Sequence, residues 1–148
     1  MGGGNYSWAM ARQTLLLHSP VANVLAVLAD VENYPSWMDG VREMKVTNTD
    51  ALGRAEQVVM SLEGMGFKDT LTLHYQWGDD HVSWDLLSAT LVTKLHGMFN
   101  LQSESGGTLV DYELDADVNV ALPNFMKQAG IANIVKATMQ NLKARCEQ

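Results

Sequence analysis

Three groupings in this sequence have side-chain types at spacings that chemistry could use. Asp79-Asp80-His81 sets two carboxylates beside an imidazole, as a metal site does. Asp111, Glu113, Asp115 and Asp117 put a carboxylate at every second position. Gly64-Met65-Gly66-Phe67-Lys68-Asp69 approaches a glycine-rich loop of the kind that cradles phosphates. Each has a plainer reading. Asp79-Asp80-His81 follows Gly78 between two strand patterns, where Asp is favoured because its side chain satisfies turn amides. Alternate strand residues stand about 6.6–6.8 Å apart, too far for four carboxylates to converge on one ion, so 111–117 reads as a solvated acidic face. In the third segment Asp69 replaces the last glycine, and the surroundings predict a hairpin rather than a strand-to-helix turn. His74 and His96 fall on the polar sides of their strands, and His18 at a strand end. Cys146, the single cysteine, has no partner for an internal disulfide and no ligand neighbours. No catalytic residue, metal or cofactor is assigned.

The apolar residues carry the better lead. The chain holds nine methionines and four tryptophans, and methionine adapts to irregular apolar shapes where binding surfaces must re-pack. By alternation, Val58, Met60, Leu71, Leu73, Tyr75, Trp84, Leu95, Phe99, Tyr112 and Leu114 share one inward face. They are set opposite Phe125, Met126, Ala129 and Ile134 of a C-terminal helix. Trp37, Met38, Met65 and Met126, near loops and helix ends, are placed at an entrance. Any one of these residues is also explained as ordinary core filling, because protein interiors are close-packed. Tyr75 and Tyr112 are the candidate polar handles, since a buried phenol needs a hydrogen-bond partner that a ligand oxygen can supply.

The elements that would position these residues follow from periodicity. Trp8 to His18 reads as a first strand, stopped by Ser19-Pro20. Those two residues supply an N-cap and a first-turn proline for a helix with Val21, Val24, Leu25 and Leu28 on one face. Tyr34 to Gly40 fits a second, one-turn helix begun by Pro35 and ended by a glycine free to take positive φ. From Gly40 the period becomes two. Val41 to Thr49, Arg54 to Leu62, Phe67 to Trp77, Val82 to Leu87, Leu91 to Ser103 and Thr108 to Val118 read as strands, and the short links between them predict antiparallel neighbours. From Pro123 to Arg145 the helical period returns, with Ile131, Ile134, Val135, Thr138, Met139 and Leu142 on one stripe and Lys127, Lys136, Lys143 and Arg145 mostly off it. The class is α+β, with all helices on one face of an antiparallel sheet.

With 148 residues, 47% of them hydrophobic and 18% charged, the chain suits a single folded domain over 1–148, in which residues 1–7 are expected to be disordered. A net charge of −7 repels polyphosphate, so nucleic acid is not expected as a partner. The longest nearly uncharged apolar run, Val21 to Ala29, is about half of the roughly 20 residues a membrane helix needs, so integral membrane association is not expected. The start, Met-Gly-Gly-Gly-Asn-Tyr-Ser-Trp, has neither the basic nor the apolar part of an export signal, and a cytoplasmic location is expected.

Residues 19–41, Ser-Pro-Val-Ala-Asn-Val-Leu-Ala-Val-Leu-Ala-Asp-Val-Glu-Asn-Tyr-Pro-Ser-Trp-Met-Asp-Gly-Val, in this order of elements, resemble the START-like (SRPBCC) superfamily. Within it the chain is most similar to the polyketide cyclase/dehydrase and coenzyme Q-binding group, as is Gly-Thr-Leu-Val-Asp-Tyr-Glu-Leu at 107–114. The resemblance implies a helix-grip fold: a curved seven-stranded antiparallel sheet wrapped around a long C-terminal helix, two short helices between strands 1 and 2, and a cavity for an apolar ligand. The superfamily includes lipid and quinone carriers, aromatase/cyclases and ring-hydroxylase subunits, and the fold alone does not choose among them. Because the assigned inner faces hold almost no ionisable groups except tyrosines, binding or transport of a small hydrophobic molecule (a lipid, isoprenoid quinone or polyketide-like compound) without catalysis is expected. The alternative is a polyketide aromatase/cyclase using the same cavity. A protein-interaction module is a third reading, which a filled core without a cavity would favour.

Overall fold

The structure, a computed structural model, describes residues 9–64 and 66–148; Trp8, with the residues before it, and Met65 lie outside them. Alternating apolar and polar residues build seven strands: β1 (Ala9–Leu17), β2 (Val41–Thr49), β3 (Ala55–Gly64), β4 (Phe67–Trp77), β5 (His81–Ser88), β6 (Val92–Glu104) and β7 (Gly107–Val118). They form one sheet in the order β1-β7-β6-β5-β4-β3-β2. Every pair is antiparallel. The chain crosses from β1 at one side to β2 at the other through α1 (Val21–Ala29) and a 3₁₀ turn (Val31–Ser36), and it ends in α2 (Asn124–Cys146). This is the expected α+β helix-grip architecture.

Antiparallel pairing gives the sheet two distinct ends. The starts of β2, β4 and β6 meet the ends of β3, β5 and β7, as the pairs Val41–Leu62, Phe67–Gly64 and Val92–Val118 show. Because α2 follows β7, its first turn lies at this same end. Farther along, Val135, Met139 and Leu142 are buried where α2 packs on β1 and β7. Val24 and Leu28 of α1 are likewise fully buried.

Two local readings differ from the structure. Ser19 does not cap α1: Pro20 occupies the cap position without a side-chain bond. The Ser19 hydroxyl instead accepts a hydrogen bond from Asn23 Nδ2 at 2.5 Å, and its carbonyl accepts one from the buried Thr108 hydroxyl at 2.7 Å. The second helix is a 3₁₀ turn that begins at Val31, so Pro35 lies inside it rather than opening it. The Tyr34 hydroxyl explains the earlier start, since it donates to the Leu28 carbonyl at 2.6 Å and draws the turn back onto α1. Gly40 does take the positive φ expected of it, at 83°.

Aromatic rings pave the middle of the sheet. Tyr75 stacks on Trp84 with centroids 5.5 Å apart, Trp84 meets Phe99 at 5.6 Å, and Phe99 stacks on Tyr112 at 4.2 Å. Trp84 pairs across the strands with Gly97, and its indole lies where a side chain on Gly97 would be. Replacing Gly97 with alanine should therefore displace the indole and cost about 1–3 kcal/mol, the usual penalty for overpacking. Urea denaturation together with the near-ultraviolet signal of the tryptophans checks this.

Candidate functional site: an apolar cavity with two polar poles

Between α2 and the concave face of the sheet lies a cavity of about 370 Å³, within the range of small-ligand sites. Strand alternation supplies its floor. On β7, Val118, Ala116, Leu114 and Tyr112 point inward at every second position, and Met60 faces Leu71 across β3 and β4. The roof is a helical stripe of Lys127, Ile131, Ile134 and Thr138, at intervals of four, three and four residues that keep one face. The rim is formed by the Met38–Val41 link and the β3–β4 hairpin, with Glu63 and Phe67. From Val118 to Tyr112 the strand rises roughly 20 Å at about 3.3 Å per residue. The cavity therefore runs from the end of the sheet where α2 begins inward to the aromatic floor.

Of the residues expected to meet a ligand, Met38, Met60, Leu71, Leu73, Tyr75, Trp84, Leu95, Tyr112, Leu114 and Ile134 line this cavity. Val58 and Phe99 do not; both are fully buried in the neighbouring core. Trp37 packs edge-on against Tyr34 at 5.3 Å and borders a separate polar cleft with Asn141 and Arg145. Phe125, Met126 and Ala129 are exposed rather than inward, Phe125 by 74%. Helical geometry explains this: counted back from Ile131 at about 100° per residue, all three fall 120° or more off the roof, whereas Lys127 falls within about 40° of it. Met65 lies outside the described residues. The lining residues that sequence reasoning missed include Tyr34 and Met44. Met44 pairs with Met60, but register shifts on both sides of it in β2 break simple alternation.

The inner pole is phenolic. Tyr34, Tyr75 and Tyr112 all line the cavity, and all are at least 96% buried. Burial pushes each phenol well above its ordinary range. Electrostatic interaction with the nearby Tyr112 raises Tyr75 further, while a hydrogen bond with the adjoining Tyr34 hydroxyl partly offsets that rise. The three stay neutral through any physiological pH and act as hydrogen-bonding groups, not as phenolates.

The outer pole is ionic, and it corrects two readings. Asp117 was expected on the solvated acidic face and Lys127 off the helix stripe; both line the cavity. A register shift between Val92 and Lys94 disturbs the end of the β6–β7 ladder, and the Asp117 side chain folds over the next residue to accept the Val118 amide at 2.9 Å. Lys127 Nζ donates to Asp117 Oδ1 and to the Val118 carbonyl, each at 3.1 Å. The side chains are only 11% and 15% exposed. The other acidic positions remain on the outer face, with Asp111 held by Arg12 at 2.6 Å and Asp115 by Lys94 at 3.5 Å. Asp79 to His81 forms a turn closed by the Gly78 amide on the His81 carbonyl at 2.8 Å. Among the described residues no three His, Cys, Asp or Glu side chains are grouped to hold a metal ion. The Cys146 thiol, buried beneath α1, is pushed up to about 11 by that burial and by Glu147.

One long helix gripped by a curved antiparallel sheet over an internal apolar cavity defines a START-like protein. The chain belongs to the polyketide cyclase / dehydrase and lipid transport family, whose model matches residues 11–147. Among solved structures it is similar to a START superfamily protein from Mycobacterium smegmatis, at 19% identity and a TM-score of 0.85, covering 94% of this chain and 97% of that one. It also resembles the Zhui aromatase/cyclase of a Streptomyces strain at 15% identity and a TM-score of 0.77, covering 95% and 94%. A STAR-related lipid transfer protein fragment from Xanthomonas axonopodis shares 14% identity with a TM-score of 0.71, covering 94% and 86%. Among curated protein sequences none matches the chain. No helix among the described residues is long and apolar enough to cross a membrane.

Proposed function

We propose that this protein binds one small hydrophobic molecule in the cavity and carries or presents it without transforming it. The observation that carries this reading is the wall itself: leucine, methionine, valine and aromatic side chains surround a space of about 370 Å³ whose inner end offers neutral phenols. Burial of ligand surface at about 25 cal/mol per Å² supplies the affinity, and the Tyr75 and Tyr112 hydroxyls fix orientation. The description of the family and the lipid transfer protein among the structural neighbours support it. Native mass spectrometry of freshly purified protein, followed by solvent extraction, should find a bound apolar compound or, after delipidation, stoichiometric uptake of a fatty alcohol. A protein that takes up no apolar compound refutes the reading.

The three clustered phenols favour one competing reading, an aromatase/cyclase like the Streptomyces neighbour, in which the phenols assist enolisation and water loss. Their raised proton affinities weigh against it, because acid–base catalysts work best with a pKa near the operating pH. The double variant Tyr75→Phe/Tyr112→Phe separates the two. A carrier should lose about fivefold to thirtyfold in affinity, two hydrogen bonds at about 0.5–1 kcal/mol each. An enzyme would lose turnover of a poly-β-ketone mimic by a factor of hundreds or more.

A further inference from the structure

We infer that Lys127 and Asp117 together select the outer end of the ligand, admitting a neutral oxygen acceptor such as a ketone, aldehyde or ester carbonyl and rejecting a carboxylate. The inference rests on the proposed binding of a hydrophobic molecule in this cavity, and adds which functional group that molecule carries.

Lys127 occupies the first turn of α2, where the aligned peptide dipoles disfavour a cation, and its side chain is nine-tenths buried in a wall otherwise almost wholly apolar. Neither position nor burial favours a lysine for stability alone, since a buried ion pair seldom outperforms apolar residues of equal volume. An ammonium has three donors. Among the described residues, Asp117 and the Val118 carbonyl take two of them, and Lys127 itself lines the cavity, where its third donor can meet a ligand. A ligand oxygen there receives a charge-assisted hydrogen bond, roughly twice as strong as a neutral one.

Asp117 decides what kind of oxygen is accepted. Its carboxylate already neutralises Lys127, so a carbonyl oxygen adds a bond without adding charge. A ligand carboxylate would bring a further negative charge beside the Asp117 carboxylate in a desolvated site, and like charges in a shared site repel strongly. The pair therefore reads as a filter against free acids at the mouth of a cavity whose apolar length suits their tails.

The test titrates delipidated protein with methyl nonyl ketone and with decanoate, following the fluorescence of Trp84, which lies in the cavity wall. Asp117→Asn should raise decanoate affinity about tenfold while changing that of the ketone less than about threefold. The double variant Asp117→Asn/Lys127→Met removes both members of the ion pair together, and thermal melting should confirm its fold. It should lose the decanoate gain and weaken the ketone by about fivefold or more. An unchanged ratio of the two affinities in Asp117→Asn, or a ketone affinity indifferent to the double variant, overturns the filter while leaving the binding function intact. Failure of wild-type protein to bind either probe overturns the binding function, and the filter with it.

Discussion

Replacing Asp69 with alanine is expected to destabilise the protein by about 3 kcal/mol or more, a loss measurable by urea denaturation. Asp69 is 8% exposed. Its carboxylate accepts four backbone amides, from Thr70, from Thr90 and Leu91 of the β5–β6 connection and from Val92, which opens β6, at 2.8–3.1 Å. One side chain on β4 thus ties down the link that leads from its neighbour β5 to β6 and sets Val92 into the cavity wall. Thr90 is exposed, so water can replace the carboxylate at its amide, whereas Val92 is buried and Leu91 half-buried. Two donors stranded at about 1–3 kcal/mol each give the expected cost. Burial acts to raise the pKa of Asp69, but the four amides outweigh it and hold that pKa below the ordinary carboxylate value. A depressed folded-state pKa means that the unfolded chain binds the proton more readily, so this stabilisation is complete above the unfolded pKa of about 4 and fades as pH falls through the folded value. Wild type should lose stability in acid more steeply than Asp69→Asn, and parallel acid titrations of the two would disprove the assignment.

Asp69 also shows how far residue types alone could lead. By type it is the residue that spoils a phosphate loop, and the hairpin reading of that segment agrees with the turn between β3 and β4. Its true role depends on three amides about twenty residues away, which no local pattern announces. The strands themselves were legible because a half-buried sheet must alternate: β2 and β4 have the ends read from sequence, and β3, β5, β6 and β7 differ by one or two residues. Legibility failed where alternation or angle failed. The ladder irregularity near Val92 and the folding back of the Asp117 side chain bring this residue inward from a face where Asp111 and Asp115 stay, paired with Arg12 and Lys94. On α2 the apolar types of Phe125 and Met126 suggested an inward position that the helical angle denies them, and the same angle turns Lys127 inward against its type. The polar groups most informative about a ligand were thus the ones that type and period together misplaced.

Replacing Ala116 with phenylalanine should abolish most ligand binding while leaving the fold as stable as before or more so. Ala116 lies between Leu114 and Val118 on the inward side of β7, lines the cavity, and pairs with Leu95 of β6. It stands partway between the ionic mouth and the phenols. A phenyl ring there occupies space that the cavity leaves open, so it meets apolar walls rather than close-packed core. If it displaces about 100 Å² of the surface a ligand would bury, affinity should fall by about 2.5 kcal/mol, or roughly seventyfold. The ring's own burial should contribute about 0.5–2 kcal/mol of stability, as cavity-filling substitutions do. This combination is diagnostic. A change that damages a packed core lowers binding and stability together, as expected for truncation of the fully buried Val58 or Phe99. A change that fills a working site lowers binding and raises the melting temperature. Ala116→Phe with undiminished uptake would place the ligand elsewhere. If the protein also melted lower, the open space beneath α2 would be too small for a phenyl ring, and a binding cavity there would be excluded.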